Sequence, residues 1–231
     1  MGQGVIAAVA FDLDGTLHDR DASLVAFATA QHRRLRRQLG HVPEQTYVDR
    51  FVELDARGHV WKDEVYDRLV GELSIRDVTG SALLDDYLAH FHEHCVRFPY
   101  LHETLAQLIA DGLSLGIISN GLGDFQLATI RALGIESYFS TMSISEREGV
   151  RKPEAAIFHR TLAGLGTSAD RAVFVGDHPV ADIDGARRVG MRAVWKRDPS
   201  WTQGAEADAV INDLAELPLL VRRFSESLTV P

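Results

Sequence analysis

Apolar residues along this chain fall into two patterns. Nearly continuous runs occur at Val5 to Phe11, in "LSLGIIS" (113–119), in "RAVFVGD" (171–177), in "MRAVWKR" (191–197) and in "ADAVIN" (207–212). Short uniform runs of this kind suit strands covered on both faces, as in a parallel sheet. "STMSIS" (140–145) reads as a shorter strand. Between them, polar and apolar residues alternate with helical spacing over Leu101–Ala110, from about Asp124 to Leu133, after Pro153, across "VADIDGARRVG" and in the tail. Pro153 suits a first helical position, where its missing N–H costs nothing. Strand alternating with helix implies a parallel α/β sheet joined by right-handed crossovers.

One long stretch breaks that alternation. From about Asp19 to Phe98 there is no convincing strand. Apolar residues step by three and four through Leu24, Phe27, Ala28, Gln31 and Leu35, and through Tyr47, Val48, Phe51 and Val52. They do so again through Val65, Leu69 and Leu73, and through Leu84, Tyr87, Leu88 and Phe91, with Gly40, Gly71 and Gly80 as stops. These are amphipathic helices. The predicted organisation is an α/β core of residues 1–17 and 99–231, interrupted directly after its first strand by a helical insertion, 18–98. That places the insertion beside the carboxyl ends of the strands, where open α/β sheets bind ligands.

Composition narrows the class only slightly. With 231 residues, 45% hydrophobic, the chain is long enough for one domain carrying an insertion. The net charge of −9 argues against nucleic-acid polymers and anionic membranes as partners. A single cysteine cannot form an internal disulfide. No basic leader with a cleavage site is visible, and no window approaches the ~18 apolar residues of a membrane span. A cytoplasmic location is the expectation.

The chemistry collects at four strand ends. They are Asp12-Leu13-Asp14-Gly15-Thr16, Ser119-Asn120-Gly121, Arg151-Lys152-Pro153, and Gly176-Asp177 with Asp182 five residues on. Taken singly, each has a plain structural explanation. Asp-Gly and Asn-Gly favour turns, and Asp177 could cap a helix. A lysine at a helix start runs against the helix dipole and needs another reason.

In this order and on these elements, the four motifs resemble the haloacid dehalogenase superfamily of hydrolases, in the phosphatase-type branch with a helical cap between the first and second motifs. The resemblance spans almost the whole chain. It implies a Rossmann-like core, an inserted α-helical cap, and a Mg²⁺-dependent phosphatase acting through an aspartyl-phosphate. Asp12 would be the nucleophile, already ionised at neutral pH. Asp14 would serve as general acid and then base. Ser119, Asn120 and Lys152 would bind the phosphate. Asp12, Asp177 and the backbone carbonyl of Asp14 would hold Mg²⁺ through hard oxygen ligands. Thr16 would support the loop, and Asp182 would orient Asp177, Lys152 or a metal-bound water.

Within that superfamily, dehalogenases typically lack the second acidic residue of the first motif, so Asp14 favours phosphoryl transfer. A sugar-phosphate mutase uses the same pair, and a binding module without catalysis would normally have lost one motif. The substrate is expected to be a small phosphorylated metabolite, with the branch similar to nucleotidases and phosphoglycolate phosphatases. The cap, with His18, Arg20 and Asp21 at its start, is expected to choose the substrate and to close over the site. Outside the motifs, His90 and His94 would share a helix face beside Cys95, but with no HExxH or CxxC they read as exposed or capping histidines rather than a metal pair, and Arg33–Arg37 reads as a solvated helix face. Trp195 and Trp201 read as packing or surface residues, and His178 as a residue that could touch substrate or cap.

Overall fold

The computed structural model describes residues 5–201 and 204–229. The chain opens with β1 (Ala8–Phe11), passes through β2 (His18–Asp19), and continues into α1 (Arg20–Arg34), α2 (Arg36–Leu39), α3 (Glu44–Asp55), α4 (Lys62–Glu72) and α5 (Gly80–His90). It returns through β3 (Val96–Arg97) to α6 (Leu101–Ala110), β4 (Ser114–Ser119), α7 (Gly123–Ala132), β5 (Thr141–Ile144), α8 (Ser145–Glu148) and α9 (Ala155–Gly164). It ends with β6 (Ala172–Gly176), α10 (Gly185–Arg188), β7 (Arg192–Lys196), β8 (Ala209–Ile211) and α11 (Leu217–Thr229). The chain divides into two compact units, Asp19–Val96 and the remainder.

The α/β unit is a six-stranded sheet in the order β5-β4-β1-β6-β7-β8, parallel throughout its pairings. β1 is central because all four of its residues are apolar and fully buried. Ala8 and Ala10 join one cluster with Ile157, Phe158 and Leu162 of α9 and with Ala186 of α10. Phe11 points the other way and meets Phe139 edge-on, with ring centroids 6.2 Å apart. Both faces are therefore covered, as the apolar runs require.

The strand order also decides where a site can form. From β1 the chain builds outward through β4 and β5, then crosses to the other side for β6, β7 and β8. The order reverses at β1, so the carboxyl ends of β1, β4 and β6 surround a topological switch point. In register, Phe11 lies opposite both Ile117 and Val175. Asp12, Ser119 and Asp177 follow at or just past these strand ends.

The helical unit has an aromatic core. Phe27 packs against Phe51, Tyr87 and Phe91, at 6.4, 5.1 and 6.0 Å between centroids. Gln31 sits within it, fully buried on the face the spacing assigned to it. Its Oε1 accepts from the hydroxyls of Tyr47 (2.7 Å) and Tyr66 (3.0 Å). Its Nε2 donates to the Leu83 carbonyl (3.0 Å) and to Asp86 (2.9 Å). A polar group can occupy this core because its hydrogen bonds are met.

Several boundaries differ from the pattern. Val5 is exposed and β1 begins only at Ala8. Leu88 is exposed, and Leu83 with Tyr87 carries the buried face of α5. Gly71 lies inside the last turn of α4. Gly80 opens α5 rather than stopping a helix, because Thr79 Oγ1 caps it by accepting from Ala82 N at 3.2 Å. Pro153 precedes α9, which starts at Ala155 after a turn closed by Glu154 N donating to Arg151 O at 2.9 Å. "VADIDGARRVG" forms a wide turn over Pro179–Asp184 before α10.

Candidate active site

All eight residues singled out in the four motifs belong to the α/β unit. β1 delivers Asp12 directly, its N–H donating to Val175 O at 2.9 Å. The loop then folds back sharply. Leu13 O accepts from both Leu17 N and His18 N at 2.9 Å, and Gly15 N donates to His18 O at 2.9 Å. Gly15 has φ +84°, and a Cβ there would lie 2.7 Å from the carboxyl carbon of Asp177. Only glycine fits, both for its backbone conformation and for that close approach.

Lys152 is the hub of the buried charges. Its Nζ donates to Asp12 Oδ1 at 2.5 Å and to Asp182 Oδ1 at 2.7 Å, with all three residues buried. Burial works against its charge, but Asp12 and Asp182 outweigh burial and hold the ammonium above its ordinary range. Asp182 also accepts from His178 N through Oδ2 at 2.9 Å. The carboxamide of Asn120, expected on the phosphate, is engaged at both ends with the backbone of Lys152. Its Oδ1 accepts from Lys152 N (2.9 Å) and its Nδ2 donates to Lys152 O (3.0 Å). The second motif thus fixes the position of the third.

Asp12, Asp177 and Asp182 can each offer a carboxylate oxygen, with all three oxygens within 4.8 Å of one another. Burial, then repulsion from Asp182, pushes the Asp177 carboxyl up to about 7. Burial also drives Asp12 well above the usual range, against the pull of Lys152 and with added repulsion from Asp182 and Asp177. Three carboxylates facing one ammonium leave two negative charges, the complement of one divalent cation. Hard oxygen donors and that charge fit Mg²⁺, and a cation there would relieve the repulsion that raises these carboxyls.

Asp14 stands apart from this cluster, its side chain 31% exposed. His18 Nδ1 donates to its Oδ1 at 2.7 Å. Gln126 Nε2 donates to its Oδ2 at 2.7 Å, and also to Ser119 Oγ at 2.7 Å. Thr16 is fully buried, and its hydroxyl finds no hydrogen-bond partner among the described residues.

Sequence reasoning missed four contributors. Gln126 lies seven residues past Ser119 in an ordinary helical pattern. Trp195 donates from Nε1 to the Asp177 carbonyl at 2.7 Å, and Trp201 Nε1 lies 3.5 Å from Asp177 Oδ2. Both tryptophans therefore contact Asp177 through their ring nitrogens rather than merely filling space. Lys196 donates to Gly15 O at 3.0 Å, with its ammonium 3.3 Å from the centroid of the Phe98 ring. A polar residue ending the apolar "MRAVWKR" run was the available signal.

Other singled-out residues have partners of their own. His178 Nδ1 accepts from Val180 N and Ala181 N at 3.2 Å and caps the wide turn, its ring 4.4 Å from that of Trp201. α5 ends at His90, so His90 and His94 do not share a helix face, and His90 faces Glu93 at 3.1 Å. Within the helical unit, Arg33 pairs with Glu44 and Arg34 with Asp86. Arg20 forks onto Asp55 at 2.7 and 2.9 Å, and Lys62 also pairs with Asp55.

The sequence profile of the haloacid dehalogenase-like hydrolases matches residues 9–196, and the chain belongs to that family. A ribulose-1,5-bisphosphate 5-phosphatase of Halopiger xanaduensis is 32% identical over 239 residues, 93% of this chain and 98% of that protein. A phosphoserine phosphatase of Thermus thermophilus is 33% identical over 126 residues, 52% of this chain and 49% of that one, so the match spans about half its length. Among solved structures, a 2-haloacid dehalogenase from Pseudomonas syringae pv. tomato superposes with a TM-score of 0.64 at 29% identity, covering 95% of this chain and 100% of that one. The expected fold, a parallel α/β core with an inserted helical unit, is the fold of this family. The two curated relatives are phosphatases by name, in line with the phosphatase-type branch read from the motifs.

Proposed function

We propose that this chain is a Mg²⁺-dependent phosphatase that hydrolyses a small phosphomonoester through an aspartyl-phosphate on Asp12. The observation that carries the reading is the division of labour between two carboxylates two residues apart. Asp12 is buried against Lys152 and two further carboxylates. Asp14 is partly exposed and accepts from His18 and Gln126. A nucleophile needs the first setting, and a group that exchanges protons with a substrate needs the second.

Asp12 attacks phosphorus and displaces the leaving alkoxide. Asp14 protonates that oxygen, then takes a proton from the water that hydrolyses the aspartyl-phosphate. Ser119 donates to a phosphoryl oxygen, and Lys152 balances charge on the nucleophile and the transferring group. Asn120 holds Lys152 in place, while Asp182 shares its ammonium. Thr16, fully buried, would support the loop. Asp12, Asp177 and the Asp14 carbonyl would hold Mg²⁺, which would supply positive charge to the phosphoryl oxygens. Attack at carbon, as in dehalogenation, has no use for a positioned proton donor such as Asp14.

No helix among the described residues is long and apolar enough to cross a membrane. A small phosphorylated metabolite in the cytoplasm is the proposed setting, with substrate choice residing in the helical unit as a cap. The test is phosphate release from an aryl phosphate with and without Mg²⁺, followed by a panel of some dozens of phosphorylated metabolites. Release that needs no divalent metal would sink the mechanism, and one metabolite standing well above the rest would name the substrate.

A further inference from the structure

We infer that Gln126 is a positioning residue that couples the proton-transfer carboxylate to the phosphate-binding hydroxyl. The inference rests on the roles proposed above for Asp14 and Ser119. Gln126 enters the site from the first turn of α7, its own N–H donating to Leu122 O at 2.9 Å. Its side chain is 4% exposed. One nitrogen, Nε2, lies 2.7 Å from Asp14 Oδ2 and 2.7 Å from Ser119 Oγ. The nitrogen of the carboxamide, not its oxygen, faces both groups and donates to each. The two hydrogens on Nε2 then serve the two acceptors, one each.

Two consequences follow from that assignment. Asp14 is gripped at both oxygens, by His18 at Oδ1 and by Gln126 at Oδ2, so the plane of its carboxyl is set before substrate arrives. Ser119 receives a hydrogen bond on Oγ, so its own proton is left to donate elsewhere, as binding a phosphoryl oxygen requires. The Gln126 side chain lies directly against the Gly121 backbone. A Cβ on Gly121 would lie 2.7 Å from Gln126 Cγ. The motif Ser119-Asn120-Gly121 therefore carries its glycine to admit Gln126, 112 residues along the chain from the carboxylate that Gln126 orients.

Leaving-group dependence separates positioning from packing. The value of kcat/KM reports only the steps through departure of the alcohol. p-Nitrophenolate leaves without protonation, whereas an alkoxide needs the proton from Asp14. The experiment measures kcat/KM for p-nitrophenyl phosphate and for a simple alkyl phosphate, in Mg²⁺, for the wild type, Gln126→Met, Gln126→Asn and Asp14→Asn. Methionine keeps the length without the donor, and asparagine keeps the donor but is too short to span both partners. The ratio of the two values within one variant cancels any loss of folded protein. For both Gln126 variants the alkyl substrate should lose on the order of a hundredfold and the aryl substrate less than about tenfold, the signature of a general acid out of place. The shared, smaller loss should sit in KM, through Ser119. Asp14→Asn should show the same selectivity in full, and adding Gln126→Met to it should produce no further selectivity. Equal losses on both substrates in the Gln126 variants, with the wild type active, would overturn the role of Gln126 and leave the phosphatase reading standing. A wild type that hydrolyses neither ester would overturn that reading itself, and the role of Gln126 with it.

Discussion

Replacing Asp177 by asparagine should stabilise the metal-free protein at neutral pH. Asp177 is 6% exposed and close to Asp182, and these pressures push its carboxyl from an ordinary 3.8 up to about 7. A folded-state value above the unfolded one means the folded protein holds the proton more tightly. The stability contributed is then complete below about pH 4 and is lost as pH rises through about 7. A shift of about three units corresponds to about 4 kcal/mol at pH 8, where the charge must be carried in the fold. Asparagine has the same shape and no charge, and its side-chain oxygen can still accept from Trp201. At roughly 2–4 °C per kcal/mol for a chain of this size, Asp177→Asn should melt several degrees, up to about 15 °C, above the wild type in EDTA at pH 8. At pH 4 the two should nearly coincide. Saturating Mg²⁺ should then raise the wild type, by about 2.7 kcal/mol at a hundred times its Kd, and leave the variant unmoved. Thermal unfolding followed by circular dichroism at the two pH values, with EDTA and with Mg²⁺, reads all of this. A variant less stable than the wild type at pH 8, or a difference that ignores pH, would refute the electrostatic account of the cluster.

Gly15→Ala forces a Cβ into the Asp177 carboxyl at a backbone conformation that disfavours it, so it should cost about 1–2 kcal/mol or more and abolish stabilisation by Mg²⁺ in the same melting assay. Asn120→Ala removes both hydrogen bonds to the Lys152 backbone, and about 1–3 kcal/mol of stability should go with a fall in kcat on an aryl phosphate. Asp55→Asn takes away the carboxylate that Arg20 and Lys62 share inside the helical unit. Burial would raise this carboxyl, yet Arg20 and Lys62 together hold it below its ordinary range. Its contribution should be present above about pH 4 and fade below it, and the substitution should cost about 3–5 kcal/mol in chemical denaturation at pH 7.

The fold was largely legible because its signals are local and redundant. β1 is four buried apolar residues in a row, and the helical insertion repeats its spacing over four segments. The motif residues were legible for a related reason: charges at the ends of apolar runs cost stability and call for an explanation. What stayed hidden depends on pairs distant in sequence. Nothing within α7 marks Gln126 as the partner of Asp14. Trp195 lies in a strand whose pattern asks only for an apolar side chain, and its bond to the Asp177 carbonyl emerges only when β6 and β7 align. Helical spacing alone would put His90 and His94 on one face, but α5 stops at His90. Asn120 illustrates a subtler limit. Its motif identifies it as a site residue, but only the paired bonds to Lys152 show which neighbour it serves.

The central claim is that Asp12 attacks a phosphomonoester with the help of a divalent metal. Its most direct test is steady-state hydrolysis of p-nitrophenyl phosphate by the wild type and by Asp12→Asn, each with Mg²⁺ and with EDTA. The account predicts turnover only for the wild type with Mg²⁺, and a loss of at least about a thousandfold for the folded variant. Turnover by Asp12→Asn at a wild-type rate, or by the wild type in EDTA, would contradict it.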